Sequence, residues 1–488
     1  MPLDQRSAPI LEALAEVQSR KPSTYGAPGH HSGKGATHDV TKLIGKKVFA
    51  ADVLTLKGVD DRRESKRVRQ SAEQLAAEAW GADTCYFSSN GSTLSGQAAI
   101  LACAGPGDTV LIARNAHKST ISAAIYAGLE LVPLEPEQDP QWDIEHGVAV
   151  EEVERKLQAH PEAQAVFIVS PTYFGVTSDI AAIATTCHRH GKPLIVDEAW
   201  GALFAFSSQL PEPAIRLGAD LTIASVHKTM GALTQASIML GRGDLVPHDH
   251  LALTYDLLES TSPSIPVFAS LDGTRRHYAL NGERLLDALI RRTRQVRKEL
   301  AQIEGLRVMG PEVLNGKGSF GWDETKILMD VSALGMNGYE ADDWLSEQHA
   351  LTLGLSDDRK LLAIFGVGSG FKDARSLVAG LKALAGAAGD QRWSGRPKDL
   401  PALNDLKTEM ALRPAEAFFG PTERVPLEQA TGRVIAEMVS PYPPGIPRLL
   451  PGERINAAHV RYLTRSREIG AHAPDPSDMT LETLRVVR

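Results

Sequence analysis

A histidine and a lysine stand together in Ser225-Val226-His227-Lys228-Thr229, after the apolar run Leu221-Thr222-Ile223-Ala224 and before Gly231. The run reads as a buried strand and the glycine as the turn beyond it. A charged lysine at the end of a core strand is costly unless its amino group has a use, and an imine with an aldehyde cofactor is such a use. Taken alone, the segment reads more simply as a surface lysine, because lysine is rarely buried without a partner. Three further clusters change that balance. Asp197-Glu198-Ala199-Trp200 closes the apolar run 193–196, Asn90-Gly91-Ser92-Thr93 lies between strand-like 85–87 and helical 97–102, and Asn115-Ala116-His117-Lys118-Ser119 follows strand-like 109–113. Four polar clusters at strand ends are what a site on the carboxyl edge of an open α/β sheet requires.

The residue types then suggest one chemistry. Ser92 and Thr93, at a helix start, offer hydroxyls and unpaired N–H groups to a phosphate. A carboxylate at Asp197 suits the ring nitrogen of pyridoxal phosphate, keeping it protonated and able to accept electrons. His117 is expected to lie flat on that ring, and Lys228 to bind its aldehyde. Each motif alone is weak; the four in this order are specific.

These clusters need a framework. From residue 71 the pattern alternates between strand and helix: 85–88, 92–104, 109–113, 118–127, 130–134, 149–159, 165–169, 178–190, 193–197, 221–225 and 236–241. Strands separated by helices of this length predict right-handed crossovers and a mostly parallel sheet. Before it come an amphipathic helix over 10–19, a Gly- and His-rich loop at 27–35 suited to a ligand or a second subunit, and a charged run at 60–69 that reads as a solvated helix start. Ser71 and Gln74 form a capping-box pattern for a helix ending at Gly81. Beyond the sheet, 283–304 predicts a long helix whose Arg291, Arg292, Arg294 and Arg297 form a solvated face, and 305–388 predicts a second, smaller α/β domain. A loop-like stretch at 393–397 precedes a C-terminal module too proline-dense at 440–447 for a helix or central strand. The expected division is an N-terminal arm at 1–70, a cofactor domain at 71–304, a small domain at 305–393 and a C-terminal domain at 394–488.

Composition limits the partners. The chain has 488 residues, 43% of them hydrophobic and 23% charged, the usual balance for a soluble globular protein. A formal net charge of -8 argues against nucleic acid or an anionic membrane as partner. Asp4, Glu12 and Glu16 interrupt the N-terminal apolar positions, and no apolar run approaches the length of a membrane span. A cytosolic location is expected. Three cysteines without metal-type spacing, and histidine pairs at 30–31, 188–190 and 248–250 without a partner cluster, predict no metal site.

At this point the chain resembles the Orn/Lys/Arg decarboxylases of the fold-type-I pyridoxal-phosphate class. The matching motifs are Pro28-Gly29-His30, Asn90-Gly91-Ser92-Thr93, His117-Lys118-Ser119, Asp197-Glu198-Ala199-Trp200, Ser225-x-His227-Lys228, and a C-terminal Pro441-Tyr442-Pro443-Pro444-Gly445-Ile446-Pro447 with Pro451-Gly452-Glu453. The C-terminal motif discriminates most, since other fold-type-I enzymes share the cofactor residues without it. The resemblance implies an aspartate-aminotransferase-like large domain, a small α/β domain and a C-terminal α+β domain, in a short form without the N-terminal wing of the ring-forming members. It implies pyridoxal 5'-phosphate held by Ser92, Thr93, Leu94 and His117, with Asp197, Ala199, Trp200, Ser225, His227 and Lys228 completing the site. It also implies a homodimer with active sites at the interface, Thr261 and Ser262 reaching the neighbouring cofactor's phosphate. The implied reaction is decarboxylation of a basic L-amino acid, arginine, lysine or ornithine, with Lys228, His227 and Asp197 as catalytic residues. An aminotransferase or an oxidative decarboxylase is the alternative. One departure concerns the substrate: where the family places a glutamate for the distal cation, this chain has Gly354, with Asp357 or Asp358 as possible stand-ins. Residues 45–64 also differ from the family's loop.

Overall fold

The computed structural model describes residues 2–20, 23, 25–54, 67–389, 393–397, 399–440 and 445–488. Most of the charged run at 60–69, positions 55–64 of the variant loop and Pro441, Tyr442, Pro443 and Pro444 of the C-terminal motif lie outside them. The chain divides into two compact units, Met1–Ala102 with Asp197–Leu286, and Cys103–Val196 with Asp287–Arg488.

In the first unit the strands Thr84–Ser88, Ser237–Gly241 and Leu221–Ala224 lie side by side in that order. Ser237–Gly241 pairs antiparallel with both neighbours, setting Cys85 opposite Leu240 and Ile238 opposite Ala224. The two strands at 221–224 and 237–241 are buried throughout, which their unbroken apolar runs dictate. The N-terminal helix Pro9–Ser19 buries Ile10, Ala13, Leu14 and Val17 on one stripe. Its start is tied down by Ile10 N–H, which donates to Asp272 Oδ2 at 2.9 Å, while Asp272 pairs with Arg275 at 2.6 Å, both fully buried.

In the second unit Thr109–Ala113 runs parallel to Glu130–Leu134 on one side and Ala165–Val169 on the other, and the strand opening at Leu194 continues the row. Helices Lys118–Ala127, Val150–Ala159 and Ile180–Arg189 supply the crossovers. The α/β class with a mostly parallel central sheet is as expected, the antiparallel exception being Ser237–Gly241. A second sheet, wholly antiparallel, orders Arg307–Val308, Lys326–Asp330, Lys360–Ile364 and Leu355–Ser356, with helices Gly338–His349 and Phe371–Ala387 following its strands. The C-terminal stretch pairs Thr422–Pro426 with Thr483–Val487 around a core of Leu427, Ile435, Val439, Leu449, Leu463 and Leu484.

Four readings differ from what folds. The helix expected from Ser71 starts at Val68, and Ser71 N–H bonds to Arg67 O at 2.8 Å inside the helix instead of capping it. A hairpin, Pro136–Asp139 with Ile144–Val148, occupies a stretch the sequence left without elements. The long helix is Ile265–Leu300, 36 residues, and so begins well before 283. Its arginine face is not uniformly solvated: Arg297 lies 4.4 Å over the Trp322 ring and donates to the carbonyls of Met309, Glu324 and Lys326. Burial pulls its guanidinium down to about 10. Among the described residues no helix is long and apolar enough to cross a membrane.

Candidate active site

Lys228 stands in a single helical turn, Val226–Thr229, that follows strand Leu221–Ala224, with Ser225 in extended backbone between them. Lys228 N–H closes this turn onto Ser225 O at 3.1 Å, and Gly231 then turns away at φ +120°, a conformation that favours glycine. The lysine's Nζ lies 4.4 Å from the centroid of the Trp200 ring, a cation–π distance. Trp200 comes from the loop that leaves strand Leu194–Asp197. Asp197 closes that strand, and its Oδ1 accepts from Ala199 N–H at 3.0 Å. Burial lifts the Asp197 carboxyl above its ordinary range, and the Lys228 ammonium pulls it back down, so the two groups share one field.

His227 is placed by its own backbone. Its Nδ1 faces Ala236 O at 2.9 Å, and because a carbonyl only accepts, that nitrogen carries the hydrogen. Burial lowers its pKa below 6.5, the Ala236 carbonyl works against that, and Lys228 adds to it. The imidazole is therefore neutral at pH 7.

Where the sequence leads one to expect the phosphate, three serines come together. Helix Gly91–Leu101 starts with Gly91 at φ +71° and its N–H on Gln235 O at 3.0 Å, which aims the first turn at strand ends 225 and 237. Ser92 Oγ lies 2.6 Å from Ser225 Oγ and 2.8 Å from Ser237 Oγ, and Ser237 Oγ donates to Ala224 O at 3.0 Å. The amides at the first turn have no acceptor within the helix, as at any α-helix start. Thr93 is exposed beside them, Leu94 is buried behind, and Ala199 is buried beside Asp197. Ser262 and Thr261 are exposed between helices His248–Leu258 and Ile265–Leu300. Ser237 is the member of this serine cluster that the sequence does not single out; an isolated serine in a wholly buried strand was the available signal.

His117 belongs to the second unit, where it caps helix Lys118–Ala127, accepting from Ser119 N–H, with Nδ1 2.9 Å from Ser119 Oγ. The first unit thus brings together Ser92, Ser225, Asp197, Trp200, His227 and Lys228. A half-buried hydroxyl at a helix start with two buried serines beside it, a lysine amino group and a carboxylate in that lysine's field are the donor set pyridoxal phosphate needs, so these residues fit it.

The position expected to carry a distal glutamate takes no side chain here. Gly354 N–H donates to Leu362 O at 2.9 Å, and a Cβ on Gly354 would stand 2.6 Å from Ile364 Cδ1. Both stand-ins have partners within the chain. Asp357 pairs with Lys360 at 3.1 Å and caps the Arg359 and Lys360 amides, while Asp358 pairs with Arg396.

Comparison with known proteins gives the family. Residues 8–372 match the Orn/Lys/Arg decarboxylase major domain and residues 401–476 the Orn/Lys/Arg decarboxylase C-terminal domain. The chain is 36% identical over 488 residues to an arginine decarboxylase of Bacillus subtilis, covering 100% of this chain and 99% of that one. An arginine decarboxylase of Bacillus anthracis is also 36% identical over 488 residues, covering 100% and 98%. The fold is similar to that of the Escherichia coli constitutive lysine decarboxylase, with a TM-score of 0.81 at 21% identity, covering 100% of this chain and 82% of that one. With motifs, fold and full-length identity in agreement, the chain belongs to the Orn/Lys/Arg decarboxylase family.

Proposed function

We propose that the protein catalyses pyridoxal-phosphate-dependent decarboxylation of a basic L-amino acid, with arginine the first candidate, yielding the amine and carbon dioxide. The observation that carries the reading is the Lys228 amino group over Trp200 in the electrostatic field of Asp197. The choice of arginine rests on full-length similarity to proteins of that name. The organisation proposed with it is a cytosolic homodimer with active sites at the interface, divided into the four domains expected from the sequence.

When bound, the cofactor supplies an electron sink for the pair left behind as the bond to the carboxylate breaks. Lys228 holds it through its amino nitrogen. Ser92, Ser225 and Ser237, with the start of helix Gly91–Leu101, bind its phosphate. Asp197 would pair with the ring nitrogen and keep a proton there. His117 would lie against the ring and Ser262 would reach the neighbouring subunit's phosphate, as the family resemblance implies. Return of a proton to the α-carbon falls to Lys228, because neutral His227 has its one N–H committed to Ala236 O.

The direct test is to incubate the cofactor-loaded protein with arginine, lysine and ornithine in turn and weigh the products. Amine with stoichiometric carbon dioxide, fastest from arginine, is expected. A keto acid product would instead indicate an aminotransferase, oxygen consumption an oxidative decarboxylase, and turnover of neutral amino acids alone would remove the basic-substrate assignment. A second expectation concerns Asp197→Asn, which keeps the volume and removes the charge. Turnover should fall about 100-fold or more while the visible imine band persists. Unchanged turnover would show that Asp197 does not govern the ring nitrogen.

A further inference from the structure

The C-terminal motif that distinguishes this family has no part in the chemistry described so far, although Pro451-Gly452-Glu453 is built with unusual constraint. Gly452 sits at φ +98°, and a Cβ there would fall 2.1 Å from Leu412 O and 2.9 Å from Met410 Sδ. Its carbonyl accepts from Ala411 N–H at 2.8 Å and Leu412 N–H at 3.2 Å. Only glycine fits, and the turn it makes sends Glu453 inward, where the residue is 3% exposed.

There Glu453 meets Arg114, the first residue after strand Thr109–Ala113. The pair is bidentate, Nε to Oε1 at 3.0 Å and one terminal nitrogen to Oε2 at 2.9 Å. The guanidinium also donates to Pro447 O at 2.7 Å and Arg448 O at 3.0 Å, and Leu450 N–H donates to Glu453 Oε2 at 2.8 Å. Four residues along, Lys118 N–H reaches Gly445 O at 3.4 Å, and Lys118 Nζ pairs with Asp475. Residues 445–475 therefore grip the segment 114–118 at both ends, and His117 lies between the grips.

A buried ion pair is a poor way to gain stability, since removing both charges from water offsets most of their attraction. What a bidentate pair secures is geometry. We infer that Glu453 is a positioning residue: through Arg114 it fixes the strand-to-helix loop so that the His117 ring is held ready for the cofactor. The inference rests on the proposed stacking of His117, and the test separates the two.

Three full-length variants are compared with the parent chain. His117→Ala tests the stacking itself. Glu453→Gln keeps the shape and removes the charge, and the double variant Arg114→Met with Glu453→Met removes the pair without leaving a lone buried charge, which protects folding. The readouts are cofactor affinity by titration of the cofactor-free protein, visible circular dichroism of the loaded protein, and amide exchange at residues 115–120 in the cofactor-free protein. Both Glu453 variants should exchange faster at 115–120 alone, lose cofactor affinity by about tenfold and weaken the visible dichroism as His117→Ala does. Unchanged exchange at 115–120, or faster exchange with cofactor affinity intact while His117→Ala lowers it, overturns the role of Glu453. If His117→Ala leaves affinity and dichroism as in the parent, the stacking assignment fails, and this inference with it.

Discussion

Lys228→Ala is expected to abolish the visible imine absorbance on addition of pyridoxal phosphate and to lower decarboxylation by at least about 10³-fold, or ~4 kcal/mol of transition-state stabilisation. The reasoning is local. Lys228 is held by Ser225 O, the turn at Gly231 and the Trp200 ring, so truncation removes an amino group from a scaffold that does not depend on it. The melting temperature should change little. A variant that kept the absorbance would place the covalent link on another residue.

The second large effect concerns Glu198, next to Asp197. Glu198 is 2% exposed; Oε1 accepts from Ala214 N–H at 2.8 Å, and Oε2 has no hydrogen-bond partner among the described residues. Burial raises its carboxyl from 4.5 to about 8, against the pull of the Ala214 amide and Arg216. Because the folded state keeps the proton that the unfolded chain releases, its contribution to stability is full below about pH 4.5 and is lost as pH rises through 8. Glu198→Gln removes this dependence. Between about pH 5 and pH 9 the variant should gain roughly 3–5 kcal/mol of unfolding free energy relative to the parent, measured by denaturant titration at each pH. A difference that does not vary with pH would mean that Glu198 is ionised in the folded state. A neutral Glu198 also spares Asp197 a second negative charge beside it.

The legible parts of the sequence were those where local chemistry and long-range structure agree. Strand ends at Ala113, Asp197 and Ala224 could be placed because buried apolar runs meet polar clusters there, and the same clusters named Ser92, Asp197 and Lys228. The long helix runs on through Asn281-Gly282, a pair that favours a turn when met in sequence. In the fold Gly282 instead makes room for Phe206, whose Cβ would stand 2.6 Å from a Cβ at 282. The helix at 68 began before its apparent cap because Arg69 is fixed by Glu73 at 2.9 Å and Glu259 at 2.8 Å, and the second of those partners is far along the chain. Arg297 looked solvated because nothing near it in sequence announces Trp322 or three carbonyls. Ser237, the burial of Glu198 and the Arg114–Glu453 pair share that character: each depends on partners distant in sequence, which periodicity does not encode.

The most direct measurement of the central claim is reduction of the cofactor-loaded protein with borohydride, followed by proteolysis and peptide mass mapping. A pyridoxyl adduct on the peptide containing Lys228, and lost in Lys228→Ala, is predicted. An adduct confined to a different lysine, or none from protein that still decarboxylates, would contradict it.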